Sequence, residues 1–313
     1  MRELVRAVGV TAPGGPEVLR VVVREVREPG PGEVRIQVRA AAVNPTDIGL
    51  RERGVEGLEP PWVPGMDAAG VVESVGDGVE RLRPGDRVMA AVLPRRPDGG
   101  AQAERIVVPA ASVVAVPDGA SLEEAATLPM NGLTAILGLE LLELSHGETL
   151  AVSGAAGLLA SYLIPLAKRR GVRVLADAKP ADEPLVRGFG ADEVLPRGDG
   201  FPQAVRQLVP EGVDGLFDAA LLGRATFPAL RDGGTMVVVR TWRDGEAERG
   251  IRLRVVQVAQ VLERTDWLEE LRSLASEGTL SLRVAATYAP EEAADAHRLM
   301  EAGGLRGRAV IVF

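Results

Sequence analysis

Leu150-Ala151-Val152-Ser153-Gly154-Ala155-Ala156-Gly157-Leu158-Leu159-Ala160 reads as a strand that runs into a glycine-rich turn and opens a helix. Such a turn brings backbone N–H groups, and the partial positive charge of a helix N-terminus, up to an anion such as a pyrophosphate. In this reading Gly154 makes the tight turn and Gly157 admits the phosphate. Ala155, Leu158 and Leu159 complete the cradle, and Ala160 allows the helix to pack closely on its sheet. Taken alone, the string also fits an ordinary strand–helix turn. Its context points further: a helix from Leu158 to Arg170 leads to a second strand, Val172 to Ala176, followed by Asp177, an acidic residue placed to bind an adenine ribose. The combination is that of a dinucleotide-binding unit.

The alternation continues downstream. Helices are expected at Pro184–Phe189 and Phe201–Leu208, and strands at Glu193–Leu195, Leu216–Asp218 and Met236–Arg240. Strands and helices alternating at this spacing imply right-handed βαβ units and a parallel sheet. Upstream, Ser121-Leu122-Glu123-Glu124 has the pattern of a capping box, with helical patterning from there to Leu144. Before it the chain is rich in Gly, Pro and β-branched residues. Runs such as Val34-Arg35-Ile36-Gln37-Val38-Arg39 alternate with period two, and turn signals (Pro29-Gly30-Pro31-Gly32, Pro84-Gly85-Asp86) separate such runs. That part reads as an all-β lobe with irregular loops. After residue 262 come helices at Asp266–Ser276 and Glu291–Glu301 and a closing strand, Arg308 to Phe313. The expected division is 1–121 with 263–313, and 122–262.

A chain of 313 residues suffices for two domains with buried cores. Its 46% hydrophobic and 26% charged content is ordinary for a globular protein. A formal net charge of −8 speaks against nucleic acid or an anionic membrane as partner. There is no cysteine, which removes disulfides, thiolate zinc sites, iron–sulfur clusters and cysteine nucleophiles. His146 and His297 are the only histidines and lie far apart, so a catalytic zinc would need both to converge with carboxylates. An organic cofactor is therefore the expected carrier of chemistry. Charges in Met1-Arg2-Glu3-Leu4-Val5-Arg6 stand where a signal peptide needs an apolar core, and no apolar stretch was expected to approach the ~20 residues of a membrane span. The expectation is a cytoplasmic protein.

The order of β lobe, glycine-turn unit and short return segment resembles the medium-chain dehydrogenase/reductase superfamily, and within it the zinc-free quinone oxidoreductase (zeta-crystallin-like) branch. The resemblance spans essentially the whole chain. It is carried by Val43-Asn44-Pro45-Thr46-Asp47, Pro64-Gly65-Met66-Asp67-Ala68-Ala69-Gly70-Val71-Val72, Gly85-Asp86-Arg87-Val88, Leu128-Pro129 with Thr134-Ala135, the Gly154 turn, Gly190-Ala191-Asp192, Asp214 to Asp218, Gly233-Gly234, Ala296-His297 and Gly307-Arg308. It implies a GroES-like β-rich catalytic domain beside a Rossmann doubly wound parallel-sheet domain. The implied activity is hydride transfer from NAD(P)H to a quinone or α,β-unsaturated carbonyl. An enoyl reductase of a biosynthetic pathway, or a cofactor-binding sensor or structural member without turnover, are the alternatives. Zinc-dependent relatives carry a cysteine near Asn44 and Gly-His-Glu where this chain has Gly65-Met66-Asp67. No zinc is therefore expected. Relatives join their Rossmann sheets edge to edge, and Ile251 to Val258 reads as an exposed alternating strand, so a homodimer is expected.

The resemblance also assigns residues. Asn44 matches the residue beside the nicotinamide, where its amide orients cofactor or substrate; its other reading is an Asx-turn residue before Pro45. Thr134 matches the residue that approaches the nicotinamide-side phosphate or ribose, or is a helical Thr bonding its own backbone. Arg308 is carried over as cofactor-binding. Asp67, Asp214, Asp218 and His297 are expected to be structural, His146 to cap a helix C-terminus, and Arg95-Arg96 to be a solvated loop pair. The chain departs from the family at Ile48-Gly49-Leu50, at Leu158-Leu159, and at Arg240, where a glycine usually ends the fifth strand and where an arginine can reach the nicotinamide end or an acidic substrate. Tyr162 and Tyr288 fall in packed segments, which leaves solvent as the proton source. Cofactor choice divides the residues: Asp177 suits the free ribose of NAD(H), whereas Lys179 and Arg197 suit the 2′-phosphate of NADP(H). NADP(H) is the expected cofactor and NAD(H) the alternative.

Overall fold

The structure, a computed structural model, describes residues 3–313; Met1 and Arg2, which entered the reading of the N-terminus, lie outside the described residues. Along the chain run β1 (Glu3–Val10), β2 (Leu19–Val26), β3 (Glu33–Ala42), α1 (Pro45–Arg53), β4 (Asp67–Val75), β5 (Arg87–Ala91), β6 (Arg105–Pro109), β7 (Val113–Ala115), α2 (Leu122–Ala125) and α3 (Pro129–Leu142). Then come β8 (Thr149–Ser153), α4 (Leu158–Arg169), β9 (Arg173–Ala178), α5 (Glu183–Gly188), β10 (Glu193–Pro196), α6 (Phe201–Leu208), β11 (Val213–Asp218), β12 (Leu230–Val238) and β13 (Arg252–Val255). The chain closes with α7 (Thr265–Ser276), β14 (Val284–Tyr288), α8 (Ala293–Ala302) and β15 (Arg308–Val312).

Two compact units emerge, Met1–Met130 with Ala259–Phe313, and Asn131–Val258. The first division falls later than the expected 121/122 because α2 packs on β3 and β4. The return falls at 258/259, where the sequence reading put 262/263.

The first unit is built on a seven-stranded sheet, β14-β15-β3-β4-β5-β7, with β6 on the other side of β3, and a separate β1–β2 hairpin. The period-two pattern of β3 places Val34, Ile36, Val38 and Ala40 in the core. Gly70 in β4 is required by close approach: a β-carbon there would overlap the Gln37 carbonyl of β3. The lobe is not all strand. Asn44, Pro45 and Asp47 start α1 through a capping box with Pro in the first turn, a signal that competed with the Asx-turn reading.

The second unit is a six-stranded sheet in the order β10-β9-β8-β11-β12-β13, every neighbouring pair parallel. This is the doubly wound Rossmann order, reversing direction between β8 and β11. The inner strands β8, β9 and β11 are almost wholly buried because both faces are covered, whereas no residue of the edge strands β10 and β13 is fully buried.

Four local expectations are corrected. The helix expected from Ser121 to Leu144 breaks into α2 and α3, since Pro129 disfavours helix at the residue before it and offers no N–H to the preceding turn. It ends at Leu142, with Glu143 left-handed at φ 53°, so His146 lies beyond the helix instead of capping it. β12 stops at Val238, which leaves the exposed Arg240 two residues past the strand. Finally, Leu122–Leu142 has the length and hydropathy of a membrane span, against the sequence expectation; 83% of its most apolar window is buried, as in the core helix of a soluble fold.

Candidate functional site

In the second unit β8 ends at Ser153 and the chain turns at Gly154 with φ +70°. A β-carbon there would be strained by that left-handed conformation and would lie 3.1 Å from the Ala220 nitrogen. Gly157 is the N-cap of α4 and brings no capping side chain, so the helix presents its first N–H groups without a carboxylate or hydroxyl from its own cap. Leu158 turns into the core at 1% exposure, so its bulk does not fill the turn, while Leu159 is half-buried. Ala155 is buried. The turn stands at the topological switch point. There Ser153 Oγ donates to Asp218 Oδ1 at 2.6 Å, and Asp218 also accepts from the Leu222 and Gly223 N–H groups. Asp214 accepts from Thr149 N and Arg231 Nε.

Asp177 is buried beneath the turn. Its Oδ1 accepts from Ala155 N at 2.9 Å, while Oδ2 has no hydrogen-bond partner and lies 3.8 Å from Arg197 Nε. Burial pushes the carboxyl up, against the pull of the Ala155 N–H and of Arg197. The carboxylate that the sequence expectation places at the ribose thus also holds an amide of the glycine turn, through one of its oxygens. Lys179 and Arg197 are exposed and directly follow the adjacent strands β9 and β10. Thr134 is buried on α3. A left-handed glycine with little room for a β-carbon, a helix whose N-cap is a glycine and two exposed cations at neighbouring strand ends fit a dinucleotide with its phosphates.

In the first unit a buried cluster forms around Asn44. Its Nδ2 donates to Asp67 Oδ2 at 2.6 Å, and its Oδ1 accepts from Arg308 Nε at 2.8 Å. Asp67 Oδ1 accepts from Met130 N at 2.6 Å, and Asp47 accepts from Asn44 N and Gly65 N, each at 2.8 Å. Asn44, Asp47 and Asp67 are all fully buried. Desolvation pushes Asp47 up to about 6 and Asp67 up to about 7; hydrogen bonds and Arg308 oppose this, and the charge of Asp47 adds to the rise at Asp67. Asp47 belongs to the Val43–Asp47 motif, and its spacing of three from Asn44 is the capping-box signature that marks it in the sequence. Arg308, expected at the cofactor, is engaged by the Asn44 amide.

The same unit anchors α1 from its other end. The Arg51 guanidinium is buried against Gly14 O, His297 Nδ1 and Glu301. Burial, and then the Arg51 charge, push His297 down to about 3, so it is neutral and structural, as expected. Arg96 pairs with Glu263 at 2.8 Å. Among the described residues, no group of three or more His, Cys, Asp or Glu side chains is placed to hold a metal ion.

A pH signature follows from the raised carboxyls. The folded protein holds these protons more tightly than the unfolded chain, whose aspartates titrate near 3.8. Their contribution to stability therefore declines as pH rises from that value to about 7. Urea unfolding of wild type and Asp67→Asn from pH 4.5 to 8 is expected to show wild type losing ground to the variant, by up to about 1.4 kcal/mol per pH unit. A pH-independent difference would contradict it.

With this geometry in hand, comparisons with known proteins become specific. Residues 30–118 match the family described as alcohol dehydrogenase GroES-like domain, and residues 189–311 the family described as zinc-binding dehydrogenase. An NADPH-dependent alkenal/one oxidoreductase of Arabidopsis thaliana is 34% identical over 238 residues, 72% of this chain and 60% of that one. A structure titled as an NAD-dependent alcohol dehydrogenase superposes with TM-score 0.84 at 30% identity, covering 98% of this chain and 99% of the other. A mycobacterial protein complexed with NADPH has TM-score 0.84 at 29% identity, covering 98% and 100%. The chain spans 50% to 60% of the length of the first curated relatives it matches. The matched families, their order along the chain and the full-length structural correspondence lead to one conclusion: the chain belongs to the medium-chain dehydrogenase/reductase superfamily.

Proposed function

We propose that the protein is a cytoplasmic, zinc-independent NAD(P)H oxidoreductase that reduces a C=C bond conjugated to a carbonyl, in an enone or a quinone. The observation that carries this is the left-handed Gly154 turn at the switch point of a six-stranded parallel sheet. The alkenal/one activity printed for the Arabidopsis relative supports the acceptor class. When bound, the nicotinamide supplies a hydride to the acceptor's β-carbon, and the acceptor's own carbonyl takes up the charge. Gly154, Ala155, Gly157 and the start of α4, with Leu158 and Leu159, hold the pyrophosphate. Asn44 orients the acceptor carbonyl, with Thr134 and Arg240 assigned to the nicotinamide end. The α-carbon proton comes from water, since Tyr162 is fully buried in α4 and Tyr288 is half-buried. Purified protein is expected to oxidise NADPH with small enones, quinones or enoyl thioesters, and to do so unchanged in chelator. Cofactor binding without turnover on any of these acceptors would overturn the reading.

NADPH is the assigned cofactor. Asp177, the objection to a 2′-phosphate, is 1% exposed, with Oδ1 on Ala155 N and Oδ2 facing Arg197 Nε at 3.8 Å, while Lys179 and the outer part of Arg197 are open to solvent. Arg197→Ala and Lys179→Ala are each expected to weaken NADPH binding about tenfold, or about 1.4 kcal/mol, and to leave NADH almost unchanged. Wild type preferring NADH by fluorescence titration would reverse the assignment to NAD(H).

A homodimer is proposed on the position of β13, which is parallel to β12 at the edge of the sheet and offers its other side for pairing. Light scattering at micromolar concentration is expected to give twice the chain mass; a monomer would contradict it.

A further inference from the structure

The neighbours of Asn44 admit one orientation of its amide. A half-turn would put the carbonyl oxygen against the Asp67 carboxylate and the amide hydrogens against the Arg308 guanidinium. We propose that Asp67 and Arg308 are positioning residues that set the Asn44 amide for reaction, and that taking up one proton at Asp67 releases it. This rests on the reading above, in which Asn44 meets the acceptor.

The hydrogen bonds are strongest with the carboxylate, because an ionised acceptor binds N–H more tightly than a neutral one. Both oxygens of Asp67 accept, from Asn44 Nδ2 and from Met130 N. Both oxygens of Asp47 accept as well, from Asn44 N and Gly65 N. A proton on Asp67 turns one of its two acceptors into a hydroxyl oxygen, a far weaker acceptor than a carboxylate, and so loosens one of two donors. Met130 N belongs to the backbone at the start of α3, whereas Asn44 Nδ2 is the end of a rotatable side chain, so the side chain gives way.

The charges around Asp67 make that proton accessible near neutrality. Facing it are Asn44 ahead of α1, Asp47 on α1, Arg308 at the start of β15 and the Met130 amide of α3. Two buried carboxylates against one guanidinium leave an uncompensated negative charge, which a low-dielectric interior disfavours. Removing the Asp47 charge therefore lowers the pH of release, and removing the Arg308 charge raises it.

Asparagine occurs only at positions 44 and 131, so selective 15N-asparagine labelling gives two side-chain amide pairs in wild type and in Arg308→Gln, and a third, from the new residue, in each Asp→Asn variant. In the NADPH-bound protein between pH 5 and 9, the Asn44 amide is expected to shift with a midpoint near neutral, and kcat with an enone to fall about tenfold per pH unit below it with KM changing less. Asp47→Asn is expected to move both midpoints down and Arg308→Gln to move both up, while Asp67→Asn gives a flat profile. An Asn44 amide invariant across the range, or a midpoint that neither Asp47→Asn nor Arg308→Gln moves, overturns the inference. If the amide titrates as described but no acceptor turns over at any pH, the positioning stands and the proposed function falls. If turnover is present and the amide is flat, the reverse holds.

Discussion

One buried side chain ties the first unit together. Asn44 follows β3, caps α1, donates to the first residue of β4 and accepts from the first residue of β15; through Asp67 it reaches the start of α3. Five elements thus end or begin at one amide. A hydrogen bond to a charged group contributes about 1.5–3 kcal/mol, and an orphaned buried amide costs about as much. The elements are held in register by this requirement, and the amide is oriented by it. The Arg51–His297–Glu301 contact fixes α1 at its far end, so the helix cannot shift its N-cap without exposing a buried guanidinium.

The second unit distributes charge in a related way. Its buried carboxylates face backbone donors: Asp177 holds Ala155, and Asp218 holds Leu222 and Gly223 around the switch point. Its exposed cations, Lys179 and Arg197, stand outside at the strand ends. Negative charge shapes the loops from inside, and Arg197 faces one of those carboxylates at 3.8 Å while remaining open to solvent. The glycine turn combines a left-handed φ with a backbone neighbour 3.1 Å from where a β-carbon would lie, and both penalise a side chain there.

Much of this could be read from residues in order along the chain. Period-two alternation in β3, the apolar run into Gly154 and the recurrence of strand and helix from Thr149 to Asp218 follow from backbone geometry over a few residues, and the parallel sheet follows from those elements by handedness. The capping box at Asn44–Asp47 was equally present in the sequence, but its asparagine also satisfies a turn, and local preference alone does not choose between them. Pro129 was visible too, yet the apolar pattern on either side of it outweighed the break it makes.

What the sequence determined by itself was the order of elements, the Rossmann unit and the positions of the residues that carry chemistry, because propensity, spacing and absent cysteine are properties of neighbours in the chain. Tertiary structure alone decided which partners those residues meet. Asp67 and Arg308 converge on Asn44 from 23 and 264 residues away, and one oxygen of Asp177 supports the turn that follows β8. Partners so distant in sequence leave no local signal, and burial, which raises the Asp67 proton affinity toward neutrality, exists only once the sheet has closed over it.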